Sequence, residues 1–214
     1  MLLKEQIEEL KRESAGKIPE NAKKVMKRAT EDLVKSGIEE NIPKVGSKAY
    51  DFTLQNYDGS QVTLSKEIQK GPVILSFYRG GWCPVCNLEL NYLQSKLSDF
   101  QKYGANLIAI SPEVPEYANE TVERHNIKFP VLYDKDNRVA AKYGLVFKLP
   151  DDLVEIYEKS GLDVAKHNGN DKFEIPIPAT FVVVRDLTLK YVFGKADYNQ
   201  RAEPDDIVEV LKKL

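Results

Sequence analysis

"GPVILSFYRGGWCPVCNLELNYLQSKL", residues 71–97, changes character twice within a short span. Val73 to Tyr78 form an apolar, β-favouring run bounded by Gly71-Pro72, the pattern of a short strand buried on both faces. From Pro84 onward, Leu88, Tyr92 and Leu93 recur at helical spacing, and Leu97 and Phe100 continue the face. A strand feeding a helix through a tight Gly80-Gly81 link is the repeating unit of an α/β domain. Between the two lies Cys83-Pro84-Val85-Cys86, which holds both cysteines of the chain.

The same alternation runs outward on either side. "ANLIAISPE" (105–113) reads as a second buried strand, "PEYANETVERHN" (115–126) as a helix, "FPVLYDKD" (129–136) as a strand and "NRVAAKYGL" (137–145) as a short helix. Upstream, "AYDFTLQNYDGSQVTLSKEI" (49–68) reads as strand, turn, strand, with Asp58-Gly59 as the turn. Downstream, "ATFVVVRDLTLKYVFG" (179–194) is a strand pair turning near Asp186. "EPDDIVEVLKKL" (203–214) is a helix with acids first and lysines last, the order its dipole favours. The stretch near 148–176 interrupts the alternation as an inserted helix and polar loop. The fold class is therefore α/β, with a mixed central sheet flanked by helices.

Residues 1–41 stand apart as an N-terminal helical extension. Leu3, Ile7 and Leu10 share a helix face, Gly16 and Pro19 break the pattern, and a second helix runs from about Glu20 to Lys35 with Gly37 ending it. The domain proper is expected over 42–214. The extension carries no chemical motif, so it either packs on the domain or mediates self-association, and a homodimer is among the expected states. Because every motif lies beyond it, the remainder is expected to fold without residues 1–36.

Composition narrows the function. The chain has 214 residues and a formal charge of −2, so no polyanion-binding role is indicated. Lysine pairs such as Lys23-Lys24 are interleaved with acids and read as solvated helix faces. No stretch approaches the roughly 20 apolar residues of a membrane span, and the N-terminus has no apolar signal core. A soluble, cytoplasmic protein that binds neither nucleic acid nor membrane is the expectation. Two cysteines there do not make a disulfide scaffold.

Three readings of the cysteine pair compete. A zinc half-site needs two further ligands, and only His125 and His167 are on offer, far apart in sequence, so no metal is expected. Two inert buried thiols are the bland alternative. Redox chemistry is favoured, because C-x-x-C at a strand-to-helix junction is a specific signal. Cysteines at that spacing on a first helical turn can close a small disulfide without unfolding. Cys83 stands at or near the N-cap with Pro84 at the first helical position, where its missing N–H costs nothing. First-turn amides then favour a Cys83 thiolate, and such sites lower a cysteine pKa from roughly 8.5 to between about 3.5 and 7.5. Pro178, just before a strand, adds weight as a candidate cis proline.

Together, "VGSKAYDFTLQNYDGSQVTLS" (45–65), "VILSFYRGGWCPVCNLEL" (73–90) and "IPATFVVVRD" (177–186) resemble the peroxiredoxin-like branch of the alkyl hydroperoxide reductase / thiol-specific antioxidant family. The resemblance covers roughly Ile42 to the C-terminus and implies a thioredoxin fold. Matching "FY" to the family's aromatic pair sets Cys86 on the peroxidatic cysteine, Cys83 on its threonine, Arg79 on its proline and Pro178 near its arginine. These helper positions thus depart from the family pattern. What stands there is similar to thioredoxin: "WCPVC" resembles its Trp-Cys-x-x-Cys, and Ile177-Pro178 its cis-proline loop, a comparison that makes Cys83 the attacking cysteine.

The resemblance implies a thiol-dependent peroxidase that reduces a hydroperoxide and is regenerated by a thioredoxin-like dithiol, without a bound cofactor. Which cysteine attacks is left open between Cys86, by family position, and Cys83, by the helix terminus; the resemblance inclines toward Cys86 for peroxide and Cys83 for exchange with a protein disulfide. Arg79, Gly81, Trp82, Pro178 and Thr180 are candidate supporting residues: a guanidinium, close backbone approach, a shield for the sulfur, a loop proline and a hydroxyl. A protein thiol–disulfide oxidoreductase is the alternative function. A redox-idle binding module that finds its partner through the N-terminal helices is the third.

Overall fold

A computed structural model describes residues 2–214. The chain begins with α1 (Leu3–Ser14) and α2 (Glu20–Lys35), then β1 (Thr53–Asn56), β2 (Gln61–Thr63), the short α3 (Leu64–Glu67) and β3 (Val73–Phe77). Next come α4 (Pro84–Ser95), α5 (Leu97–Lys102), β4 (Asn106–Ser111), α6 (Pro115–His125), β5 (Val131–Tyr133) and α7 (Arg138–Lys142). The last part holds β6 (Val146–Lys148), α8 (Asp151–Lys159), α9 (Val164–Asn168), β7 (Glu174–Pro176), β8 (Ala179–Val183), β9 (Leu189–Gly194) and α10 (Pro204–Leu211). None of the helices is long and apolar enough to cross a membrane.

Seven strands form one sheet in the order β2-β1-β5-β4-β3-β8-β9. β3, β4 and β5 run parallel, and β8 returns antiparallel beside β3 with Phe77 opposite Ala179. β3 is buried along its whole length because both sheet faces are covered. Val73, Leu75 and Phe77 face one core with Phe181, Ile108 and Tyr143. Ile74 and Tyr78 face the other, with Leu90 and Leu93 of α4. This alternation, set by the two-residue period of a strand, places the start of α4 over the C-terminal end of β3.

Two segments differ from the sequence reading. β6 and β7 pair as a small antiparallel ribbon, with Phe147 opposite Ile175, so the 148–176 stretch holds a strand as well as α8 and α9. The expected single helix after the cysteines divides into α4 and α5 at Lys96, whose backbone leaves the helical region (φ −95°, ψ 0°).

The N-terminal helices pack on the domain. Leu3 and Ile7 of α1 are buried in the cluster that contains Cys83 and Cys86, and Ala29 of α2 packs with Leu153 and Tyr157 of α8. The first turn of α1 is tied down by Glu203, whose carboxylate accepts the Leu3 and Lys4 N–H groups at 2.9 and 2.8 Å. Burying each of Leu3 and Ile7 contributes about 1.5–3 kcal/mol, a sizeable share of a typical total stability of about 5–15 kcal/mol. We propose that this packing makes residues 1–36 an integral part of the folded domain. Ile7→Ala is expected to lower the thermal midpoint by on the order of 10 °C, read by calorimetry. A midpoint unchanged to within a degree would show that α1 is merely laid on the surface.

Candidate active site

β3 delivers the chain at Phe77 into the space between its two cores. The turn that follows is compact: the Cys83 N–H donates to the Gly80 carbonyl at 3.1 Å. Gly80 has φ +144°, and a Cβ there would press on the Trp82 indole. Cys83 is the N-cap of α4, and Pro84 opens the helix at its first position. The Cys83 sulfur accepts the Cys86 N–H at 3.3 Å, so it satisfies one of the orphan donors of the first turn.

Both cysteines are free thiols with no exposed surface. Two buried guanidiniums flank them. Arg79 Nη2 donates to Cys83 Sγ at 3.1 Å, and Arg201 Nη2 lies 3.5 Å from Cys86 Sγ. Arg201 is also paired through Nη1 with the buried Glu89 carboxylate at 2.7 Å. Arg79, by contrast, has no carboxylate within ion-pair distance among the described residues. Its guanidinium lies over the rings of Tyr198 and Trp82, at 4.1 and 5.1 Å from their centroids.

These surroundings separate the two sulfurs. Burial alone would raise the Cys83 pKa. The hydrogen bond from Cys86 and the charges of Arg79 and Arg201 outweigh it and hold Cys83 well below the ordinary thiol range. Burial pushes Cys86 up, and so do its hydrogen bond to Cys83 and the Cys83 charge, against the pull of Arg201 and Arg79. The surroundings therefore favour the charged form at Cys83 and the protonated form at Cys86.

Cys83, Trp82, Arg79 and Tyr198 line a cleft of about 980 Å³, together with residues of the 10–26 stretch of the N-terminal helices, Ile156 and Leu162. The N–H groups Arg79 Nε and Trp82 Nε1 are buried with no acceptor among the described residues.

Arg79, Gly81 and Trp82 are thus gathered around Cys83. The Gly81 N–H donates to Glu113 at 2.8 Å, and its carbonyl accepts from Asn87 Nδ2 at 2.7 Å. Pro178 shares a small cavity with Arg79 and Tyr198. Its peptide bond is trans, like every other among the described residues, contrary to the cis bond expected from sequence. The reason is local. Ile177 donates its N–H to Leu145 and Ala179 already pairs in β8, so the chain runs extended from β7 into β8 with no bend for a cis bond to make. Thr180 lies inside the sheet opposite Ser76, and no hydrogen bond joins it to either sulfur.

The residues that sequence reasoning missed are Glu89, Arg201, Tyr198, Glu113 and, as anything but a metal ligand, His167. Glu89 alone had a local signal, since it falls one turn beyond Cys86 on the helix.

The AhpC/TSA family matches residues 45–192 of this sequence. The chain belongs to the AhpC/TSA family. Among curated members and neighbours it is similar to the thiol-disulfide oxidoreductase ResA of Halalkalibacterium halodurans, with 27% identity over 106 residues, 49% of this chain and 59% of that protein. It is also similar to the peroxiredoxin Bcp of Escherichia coli K12, with 29% identity over 102 residues, 48% of this chain and 65% of that protein. The chain therefore spans less than two thirds of the length of these relatives. The crystal structure of peroxidoxin BcpB from Mycobacterium tuberculosis shares the fold, with a TM-score of 0.63 and 22% identity over 80% of this chain and 97% of that one. Arg79 and Cys83 both lie within the stretch that matches the AhpC/TSA family.

Proposed function

We propose that this AhpC/TSA chain is a thiol-dependent peroxidase in which Cys83 attacks and Cys86 resolves. The observation that carries this reading is Arg79: a buried guanidinium with no carboxylate partner among the described residues, set 3.1 Å from the Cys83 sulfur. A cation left in such a place requires an anion, and the thiolate is the one within reach.

The steps balance as follows. The Cys83 thiolate attacks one oxygen of a hydroperoxide, the O–O bond breaks, and the leaving oxygen takes a proton and departs as an alcohol or water. Cys83 is now a sulfenic acid. The Cys86 sulfur displaces the sulfenic hydroxyl, which leaves as water with the Cys86 proton, and a Cys83–Cys86 disulfide forms. An external dithiol of the thioredoxin type reduces it by exchange and is itself oxidised to a disulfide. Both sulfurs come from one chain, so no subunit partner is needed for these steps.

Catalysis requires donors for the two oxygens as charge moves to the leaving one. The threonine hydroxyl of the family pattern is absent here. Arg79 Nε and Trp82 Nε1 are buried donors without acceptors, each costing about 1–3 kcal/mol while unsatisfied. In this reading Arg79 Nη2, the donor that already touches the Cys83 sulfur, is the group that meets the peroxide oxygens. The setting we propose is the cytoplasm, where dithiol reductants are maintained.

A protein thiol–disulfide exchange reading has one observation in its favour, the thiolate at the N-cap of a Trp-Cys-x-x-Cys stretch. The trans bond at Pro178 takes away the cis-proline loop that would accompany it.

The deciding measurement is the rate of thiol loss when the reduced protein meets hydrogen peroxide. We expect it to exceed that of a free thiol by at least roughly a hundredfold. Because the folded pKa of Cys83 is depressed, the rate should stay level as pH falls through the ordinary thiol range and decline only once pH drops below the lowered value. A rate no better than a free thiol, or one that declines already near pH ~8.5, would refute the peroxidase reading.

A further inference from the structure

The reaction steps above leave the buried carboxylate of Glu113 unused. Glu113, in the loop between β4 and α6, has a side chain with no exposed surface. One of its oxygens accepts the Gly81 N–H and the other accepts His167 Nδ1–H, both at 2.8 Å. A buried carboxylate is costly unless paired and hydrogen-bonded, and this one is directed at a single backbone amide.

That amide sits at a sensitive place. Gly81 is the second residue of the Gly80–Cys83 turn, which joins the two members of the Arg79–Cys83 contact. Glu113 holds its N–H, Asn87 holds its carbonyl, and a Cβ at this position would run into Thr121 Oγ1. The turn is thus gripped from α4 on one side and from Glu113 on the other. His167 is fixed in its turn: its ring lies 4.1 Å from that of Tyr117, and its carbonyl accepts the Val114 N–H at 2.8 Å.

We infer that Glu113 and His167 form a positioning pair that sets the Gly80–Cys83 turn and thereby holds the Cys83 sulfur on Arg79. Through His167 on α9, the segment between β6 and β7 becomes part of the working site and not a decoration of it. The inference rests on the reading that Cys83 is the reactive sulfur.

The test uses the full reduced chain and readouts that do not involve peroxide. Alkylation by iodoacetamide is followed with the modified cysteine identified by peptide mass, and thiolate formation is titrated by ultraviolet absorbance. His167→Ala is expected to slow Cys83 alkylation roughly tenfold at mildly acidic pH and to move the thiolate titration upward. His167→Asn, a neutral donor near the place of Nδ1, is expected to restore most of both. If the alanine variant does not fold, His167→Gln, whose amide cannot occupy the Nδ1 position, carries the same comparison. Wild-type titration in the alanine or glutamine variant overturns the inference. So does an asparagine variant no better than alanine, because a pure charge effect would behave that way. If wild type reacts slowly with hydrogen peroxide, the peroxidase reading fails on its own, and the alkylation comparison still decides whether the pair positions Cys83.

Discussion

Replacing Cys83 by serine is expected to abolish the fast reaction with hydrogen peroxide, while Cys86→Ser is expected to keep it and to stop at a sulfenic acid. The asymmetry follows from the surroundings of each sulfur. Cys83 accepts from Arg79 Nη2 and from the Cys86 N–H, contacts that favour the charged form. Cys86 is left as the proton-bearing partner, raised by burial and by its neighbour's charge. In Cys83→Ser the remaining thiol still bears the cost of full burial, which disfavours its charged form, and it does not line the cleft. Its rate should fall by at least roughly a hundredfold, to that of an unassisted thiol. In Cys86→Ser the backbone N–H of residue 86 and Arg79 Nη2 still donate to the Cys83 thiolate, so the first step survives. No second sulfur is present to displace the sulfenic hydroxyl, and the intermediate accumulates for capture by a dimedone-type reagent. The opposite pattern, with fast oxidation lost only in Cys86→Ser, would hand the attacking role to the position that family matching assigns to it.

The second large effect is expected at Arg79. Arg79→Met keeps most of the buried length of the side chain while removing its charge. The Cys83 thiolate then loses the hydrogen bond at 3.1 Å, and the leaving oxygen loses a donor. Removing one donor from a preorganised anion site costs about 10²–10³ in rate, and the thiolate titration should rise as well. Arg79→Lys should recover part of the titration but less of the rate, because a point charge does not reproduce the planar fork over Tyr198 and Trp82. A rate in Arg79→Met within a few-fold of wild type would remove the guanidinium from the proposed chemistry.

What could be read from sequence were features with local causes. The burial of β3 is written in its continuous apolar run, the cap of α4 in Cys83-Pro84, and the first hairpin in Asp58-Gly59, where Gly59 takes a positive φ of 87°. The same holds for the two N-terminal helices, marked by Leu3, Ile7 and the break at Gly16-Pro19. What could not be read were pairings made by the return of distant chain. Arg201 reaches Cys86 across 115 positions and Glu113 meets His167 across 54. No periodicity encodes such contacts, because they depend on which sheet edge and helix end the topology brings together. Arg79 illustrates both halves. Its closeness to Cys83 follows from four residues of tight turn, but its lack of a carboxylate partner is visible only once the whole shell is assembled. Pro178 misled because a proline before a central strand has two explanations, and the extended run through β7 and β8 supplies the plainer one.

The solitary guanidinium at Arg79 also bears on the oxidised state. When Cys83 enters a disulfide its negative charge disappears, and Arg79 is left in a buried place with no anion within ion-pair distance among the described residues. In the proposed cycle, whatever stabilises the thiolate is thereby withheld from the disulfide, and the couple is expected to be tilted toward the dithiol. The charge that favours the Cys83 thiolate also favours, in that cycle, its regeneration from the disulfide.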